Sequence, residues 1–228
     1  MKYVCAAILS VALVASVCFA GEKPELKDRK DKESYSLGFQ FGQSVKDQGV
    51  DINPDIYTSG LHDALSGASP RLSQEEIRNT VTELQKRVME ARQKQMREIA
   101  DKNLAEGKAF LDANKKKEGV ISLPNGLQYK ILADGAGKTP KATDGVTVNY
   151  RGTFIDGTEF DSSYKRETPA TLQVGGVIRG WSEALQLMKE GSKWQLFVPP
   201  DLGYGERGAG PIPPNSTLIF DVELISVK

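Results

Sequence analysis

Among 228 residues the chain has one histidine, His62, and two cysteines, Cys5 and Cys18. That leaves little material for metal ligation or for nucleophilic thiol chemistry. Charge of one sign is also missing: 30 basic residues balance 30 acidic ones. The totals therefore give no reason to expect a nucleic-acid partner or an acidic surface as target. After the first twenty residues no apolar run approaches the roughly 20 residues needed to cross a membrane.

The first twenty residues are a case apart. Met1 and Lys2 precede an apolar, alanine-rich run from Tyr3 that ends at Cys18-Phe19-Ala20. A basic start, a short apolar stretch and a small-x-small ending form the pattern of a secretory signal peptide, with cleavage expected after Ala20. A membrane anchor would be longer and more strongly apolar. A lipid-modified Cys18 is the other alternative, and the bulky Val17 before it fits poorly. Both cysteines fall inside the segment to be removed, so the mature chain is expected to have neither thiol nor disulfide.

Gly21 to Glu33 alternates charges with hardly an apolar residue and is expected to be a flexible tail. Leu37, Phe41 and Val45, at four-residue steps, predict a short helix over Tyr35 to Val45. Gly38 and Gly42 on a nearby face would admit a second backbone. Asn53-Pro54 is an N-cap followed by proline at the first helical position. The stripe Ile56, Gly60, Leu61, Ala64 and Leu65 continues this second helix until Gly67 stops it. Two such helices, roughly forty residues, are too small to bury a core unaided. A second copy of the chain is the economical cover, so the region reads as a dimerisation module.

Ser73 and Glu76 have capping-box spacing, with Leu72 and Ile77 placed for a hydrophobic staple. No proline follows before Pro124, which predicts a helix to about Lys117, on the order of 65 Å long. Ile77, Val81, Leu84 and Val88 give its first half an apolar stripe. Beyond Met89 the stripe thins, and charge pairs such as Glu98 with Lys102 are expected to hold an exposed arm. Gly107 is its expected weak point.

From Leu127 onward the texture changes to short strands and turns. Gln128 to Leu132, Val146 to Tyr150, Ser192 to Val198 and Thr217 to Val227 have strand patterns, and Asp156-Gly157 signals a hairpin. The exception is Val177 to Leu187, VIRGWSEALQL, where a short apolar run reaches Gly180 and helix periodicity begins at Trp181. Gly180 is expected to turn the chain sharply and so aim the Trp181 ring. Taken alone, Trp181 reads more readily as a core residue beneath a sheet than as the floor of a cleft.

Pooling the inward faces favours the cleft. Tyr150, Phe160, Asp161, Val177, Ile178, Trp181, Tyr204 and Phe220 would form an aromatic-walled pocket with a few polar groups at its rim, the usual form of a ligand site.

Asn149-Tyr150-Arg151-Gly152, Phe160-Asp161, Val177 to Trp181, Tyr204-Gly205 and Ile212 through Leu224 occur in the order and spacing of a known family. From about Asn125 to Lys228 the chain resembles the FKBP peptidyl-prolyl isomerase domain. The segments before it resemble the macrophage-infectivity-potentiator subgroup, whose members are V-shaped homodimers. The resemblance implies an α+β protein with an N-terminal helical dimerisation module, a long connecting α-helix, and an antiparallel β-sheet wrapped around a short α-helix. The expected divisions are 1–20 signal peptide, 21–72 tail and dimerisation module, 73–118 connecting helix and 119–228 isomerase domain. Tyr150, Phe160, Trp181 and Phe220 would line a proline pocket with Val177, Ile178 and Ile212 beside them. Asp161 and Tyr204 would be the polar groups nearest the reacting peptide bond, and Arg166 would orient the aspartate. Ala170 departs from the family, where several relatives carry an aromatic.

The implied activity is rotation about Xaa-Pro bonds in exported proteins, which assists their folding. No bond breaks, so no nucleophile, metal or cofactor is required. The implied partners are proline-containing peptides, unfolded exported chains, a second protomer, and the macrolides rapamycin and tacrolimus as inhibitors. The location implied is the periplasm, with outer-membrane association or secretion as variants. A different class remains open: a dimeric periplasmic holdase whose pocket binds without turnover.

Overall fold

The computed structural model describes residues 25–228, so the expected signal peptide lies outside the described residues. The described chain divides into two compact units, one ending at Ser73 and the other spanning Gln74–Lys228.

The first unit holds α1 (Arg29–Asp47) and α2 (Pro54–Ser66). α1 starts earlier than its apolar pattern suggests. The Asp28 side chain accepts the Asp31 N–H, and Arg29 pairs with Glu33 one turn on. Residues 29–33, expected to be tail, are therefore the first turn of the helix: capping and an i,i+4 pair supply what apolar periodicity lacks. α2 begins as expected, with the Asn53 side chain accepting the N–H groups of Asp55 and Ile56. It ends at Gly67, whose φ of +73° is the left-handed conformation that favours glycine. Neither helix buries a single residue, and Phe41, Ile56 and Leu65 are 59, 66 and 81 % exposed. No other group of the described chain comes within 4 Å of a Cβ placed on Gly38, Gly42 or Gly60.

The second unit opens with α3 (Gln74–Asn114), 41 residues beginning directly after Ser73. It ends three residues short of the expected Lys117. Its surface ion pairs include Lys94 with Glu98, Lys102 with Glu106 and Lys108 with Asp112, rather than the expected Glu98 with Lys102. The greater correction concerns its C-terminal end, which is no free arm. Gly107 is buried against the Thr217 side chain, with which a Cβ there would collide. Phe110 packs on Phe197 with ring centres 6.0 Å apart. Buried Asn114 donates to Gln128 Oε1 at 3.0 Å, while Gln128 Nε2 donates to the Leu111 carbonyl at 2.9 Å. Gly107 is a site of close approach, not a weak point.

Seven strands follow in one antiparallel sheet: β1 (Val120–Ser122), β2 (Gln128–Ala133), β3 (Gly145–Phe154), β4 (Glu159–Ser162), β5 (Ala170–Gln173), β6 (Lys193–Val198) and β7 (Leu218–Val227). Their order is β1-β2-β6-β7-β3-β4, with β5 also paired to β3. The short strands β1 and β5 have too little alternation to stand out in the sequence. Asp156-Gly157 turns β3 into β4 as expected, with Gly157 at φ +86°.

Strand alternation puts Val148, Tyr150, Gly152 and Phe154 of β3 opposite Leu224, Val222, Phe220 and Leu218 of β7. Trp194, Leu196 and Val198 of β6 continue the same face beyond β7. Against this concave face lies α4 (Arg179–Leu185), which buries Gly180, Trp181, Ala184 and Leu185. Met188, just beyond, is fully buried too. The sheet thus closes over one short helix, and the site forms where they part.

Candidate active site

Trp181 sits in the first turn of α4, its N–H bonded to the Ile178 carbonyl at 3.0 Å. The ring is 4 % exposed and belongs to the core cluster. Two aromatic rings stand perpendicular to it: Tyr150 with centres 5.2 Å apart and Phe220 at 5.3 Å. Phe160 stands edge-on to Phe220 at 5.6 Å. Edge-to-face pairs match the positive edge of one ring to the negative face of the next, and each contributes about 0.5–1.5 kcal/mol beyond its buried area. The result is a rigid aromatic box rather than an adaptable apolar patch.

The expected reason for the ring's placement needs correction. Gly180 makes no sharp turn; it is a helical residue and is absent from the positive-φ glycines. A Cβ there would lie 2.7 Å from Val198 Cγ1 and 3.4 Å from the Leu202 carbonyl. Glycine is needed because the helix backbone presses against β6.

The polar side of the box depends on a β-bulge. Gly152 pairs with Asp161 and Thr153 with Glu159, so Phe160 is the extra residue on β4. In a regular strand Phe160 and Asp161 would point to opposite faces. The bulge lets consecutive side chains serve one site. Phe160 meets Phe220, while Asp161 accepts a hydrogen bond from the Tyr150 hydroxyl. Arg166 donates Nη1 to Asp161 Oδ1 and Nη2 to the Tyr150 hydroxyl, the latter at 2.7 Å. The guanidinium also lies 5.5 Å from the Tyr150 ring centre. The Ser162 N–H completes the set at 2.8 Å from Asp161 Oδ1.

Burial works against the charged form of Asp161. The hydrogen bonds from Tyr150 and Arg166, the guanidinium charge and the Ser162 N–H outweigh it and hold the carboxyl below its ordinary value. Burial, then the Asp161 carboxylate, pushes the Tyr150 hydroxyl up against the opposing pull of Arg166. Burial and the same carboxylate push the Tyr204 hydroxyl up. Both phenols therefore stay protonated as donors at neutral pH. Tyr204 is 39 % exposed, which leaves its ring accessible from solution.

Of the other expected residues, Val177 and Ile178 lead into α4 and pack on the core cluster, and Ile212 is 7 % exposed within it. Ala170, on β5 opposite Val148, also packs there. Three residues were missed. Gly152 admits the rings: a Cβ would lie 2.7 Å from Phe160 and 2.9 Å from Phe220. Phe154 packs on Phe160 at 5.0 Å. Ser163 accepts the Tyr150 N–H at 2.9 Å and donates to Asn149 Oδ1 at 3.1 Å. Continuing the alternation of β3 past Tyr150 would have found the first two.

Comparison with known proteins agrees with this geometry. Residues 136–225 match the model of FKBP-type peptidyl-prolyl cis-trans isomerases, and residues 30–131 match that of the domain amino-terminal to such isomerases. The chain is 50 % identical to the outer membrane protein MIP of Legionella longbeachae, covering all of this chain and 98 % of that one. It is 45 % identical to the peptidyl-prolyl cis-trans isomerase Mip of Coxiella burnetii, covering all of this chain and 99 % of that protein. The crystal structure of FkpA from Escherichia coli superposes with a TM-score of 0.71 at 41 % identity, over 90 % of this chain and 99 % of that one. With both parts matched and relatives similar from end to end, the chain belongs to the FKBP-type peptidyl-prolyl cis-trans isomerases.

Proposed function

We propose that this isomerase turns over Xaa-Pro bonds in the box built on Trp181, and that Asp161, Tyr204, Tyr150 and Arg166 supply its polar chemistry. The observation that carries the proposal is the Asp161–Tyr150–Arg166 network at the edge of the box. The proline ring stacks on Trp181 between Tyr150, Phe160 and Phe220, with Val177, Ile178 and Ile212 at its sides.

Amide resonance sets a barrier of ~18–20 kcal/mol to rotation. A planar amide is more polar than the twisted transition state, so water favours the ground state and a dry aromatic box favours the twisted form. Each ~1.4 kcal/mol gained at the transition state is tenfold in rate. The Tyr204 hydroxyl donates to the substrate carbonyl. Asp161, held by Tyr150, Arg166 and the Ser162 N–H, keeps a fixed field and orients the peptide, which requires rigid neighbours. Macrolides such as rapamycin and tacrolimus would enter the same box, beside Ala170, which packs on the core from β5.

Residues 119–228 would form the catalytic domain, 73–118 its connecting helix, and 21–72 the dimerisation module. The uncovered apolar residues of α1 and α2 support a second protomer as their cover. The signal-like N-terminus and the name of the Legionella relative support export, to the periplasm or the outer membrane, with exported proteins as folding clients. Among the described residues no helix is long and apolar enough to cross a membrane.

A protease-coupled assay on a proline tetrapeptide, with and without rapamycin, tests the site. Asp161→Ala and Tyr204→Phe should each lower kcat/KM, and rapamycin should abolish what remains. Full activity in both variants would remove these residues from the mechanism.

A further inference from the structure

The loop from Gly205 to Ser216 carries Ile212 and begins beside Tyr204, yet it is poor in fixed geometry. Gly205, Gly208 and Gly210 have φ of +61°, +64° and +53°, and Asn215 also has +53°. Such a stretch has much conformational freedom to lose, so its order depends on a few tethers. Two are internal. Ala209 and Ile212 exchange backbone hydrogen bonds of 3.0 and 2.9 Å, and the Asn215 N–H bonds the Gly205 carbonyl at 2.9 Å.

The other tethers come from α3. Asn103 Nδ2 donates to the carbonyl of buried Pro214 at 2.8 Å, and Asn215 Nδ2 reaches the Ala100 carbonyl at 3.5 Å. One turn further, the Gly107 backbone accommodates the side chain of Thr217. Ala100, Asn103, Gly107, Leu111 and Asn114 recur at steps of three and four, so one face of the helix end meets this part of the domain. Pro213 and Pro214 have no N–H, which leaves their carbonyls as the only backbone handles. Pro213's is taken within the loop by Ser216 Oγ at 2.8 Å; Pro214's is held by the helix.

We propose that the end of α3 positions the substrate loop, and that Asn103 is the positioning residue. Pro214 lies two residues from Ile212, and Asn215 is bonded to the neighbour of Tyr204, so fixing this corner fixes both. The inference rests on the site proposed above. The long helix is then part of the isomerase machinery as well as a connector, although it touches no substrate.

The test uses the full chain and the proline tetrapeptide. Asn103→Asp keeps the shape of the side chain but removes the donor; Asn103→Gln retains a donor. Losing one net hydrogen bond should reduce kcat/KM about three- to tenfold in Asn103→Ala and Asn103→Asp, chiefly through KM, with recovery in Asn103→Gln. Amide exchange at Ile212 and Asn215 should quicken while the sheet stays protected. Unchanged kcat/KM in Asn103→Asp, with Asp161→Ala and Tyr204→Phe impaired, overturns the positioning role and leaves the site intact. Faster exchange throughout the sheet also overturns it, since that is general destabilisation. If Asp161→Ala and Tyr204→Phe are as active as wild type, the site itself is wrong and the inference falls with it.

Discussion

Gly180 and Val198 approach so closely that a Cβ on the glycine would lie 2.7 Å from Val198 Cγ1. Because both groups are buried, the strain of Gly180→Ala has nowhere to relax except by tilting α4 and the Trp181 ring it carries. Overpacking of this kind costs about 1–3 kcal/mol. Gly180→Ala should lower the melting temperature and kcat/KM together, and Gly180→Ala with Val198→Ala should recover part of both. Paired thermal melts and isomerase assays check this; no recovery in the double variant would refute the packing explanation.

The pH profile follows from Asp161. Its folded-state carboxyl lies below its ordinary value of 3.8, so its contribution is complete above that value and is lost only as pH falls through the depressed one. Activity should hold steady from neutrality into the ordinary carboxylate range and fail below it. Arg166→Leu removes a donor and the neighbouring charge, and should move the acid limb upward. The measurement is kcat/KM against pH for both proteins. Coincident acid limbs would show that Arg166 does not set the ionisation.

Asn114 and Gln128 tie α3 to the sheet through groups 1 and 4 % exposed. Asn114→Ala leaves the Gln128 oxygen without its partner in a buried place. Such an orphan costs about 1–3 kcal/mol. Urea denaturation of the second unit should show a lower midpoint with an unchanged slope.

Leu65 is 81 % exposed on α2 although its helix has nothing polar to gain from it. If α1 and α2 are covered by a second protomer, Leu65→Glu should yield monomers in sedimentation velocity. Turnover of the tetrapeptide should persist, since Leu65 is not a site residue. A dimer of undiminished stability would place the interface elsewhere.

What the sequence determined by itself is what local chemistry encodes. Asn53-Pro54 and Gly67 mark the ends of α2 because caps act within one turn. Trp194, Leu196 and Val198 share a face because strand periodicity is two. Of the candidate site, Tyr150, Phe160, Trp181 and Phe220 stood out in their motifs, whereas Phe154 and Ser163 did not.

Tertiary structure decided the rest. Phe160 and Asp161 share a site through a bulge set by the pairing of β4 with β3, which neither strand reveals alone. The face of α3 that docks on the domain mixes Phe110 and Leu111 with Ala100, Asn103, Gly107 and Asn114, so a search for a regular apolar stripe passes over it. Gly107 and Gly180 looked like a weak point and a turn, and proved to be places where a helix backbone meets another element. A glycine in a sequence announces freedom of the chain; only the packed neighbour tells whether the fold uses its flexibility or its missing side chain.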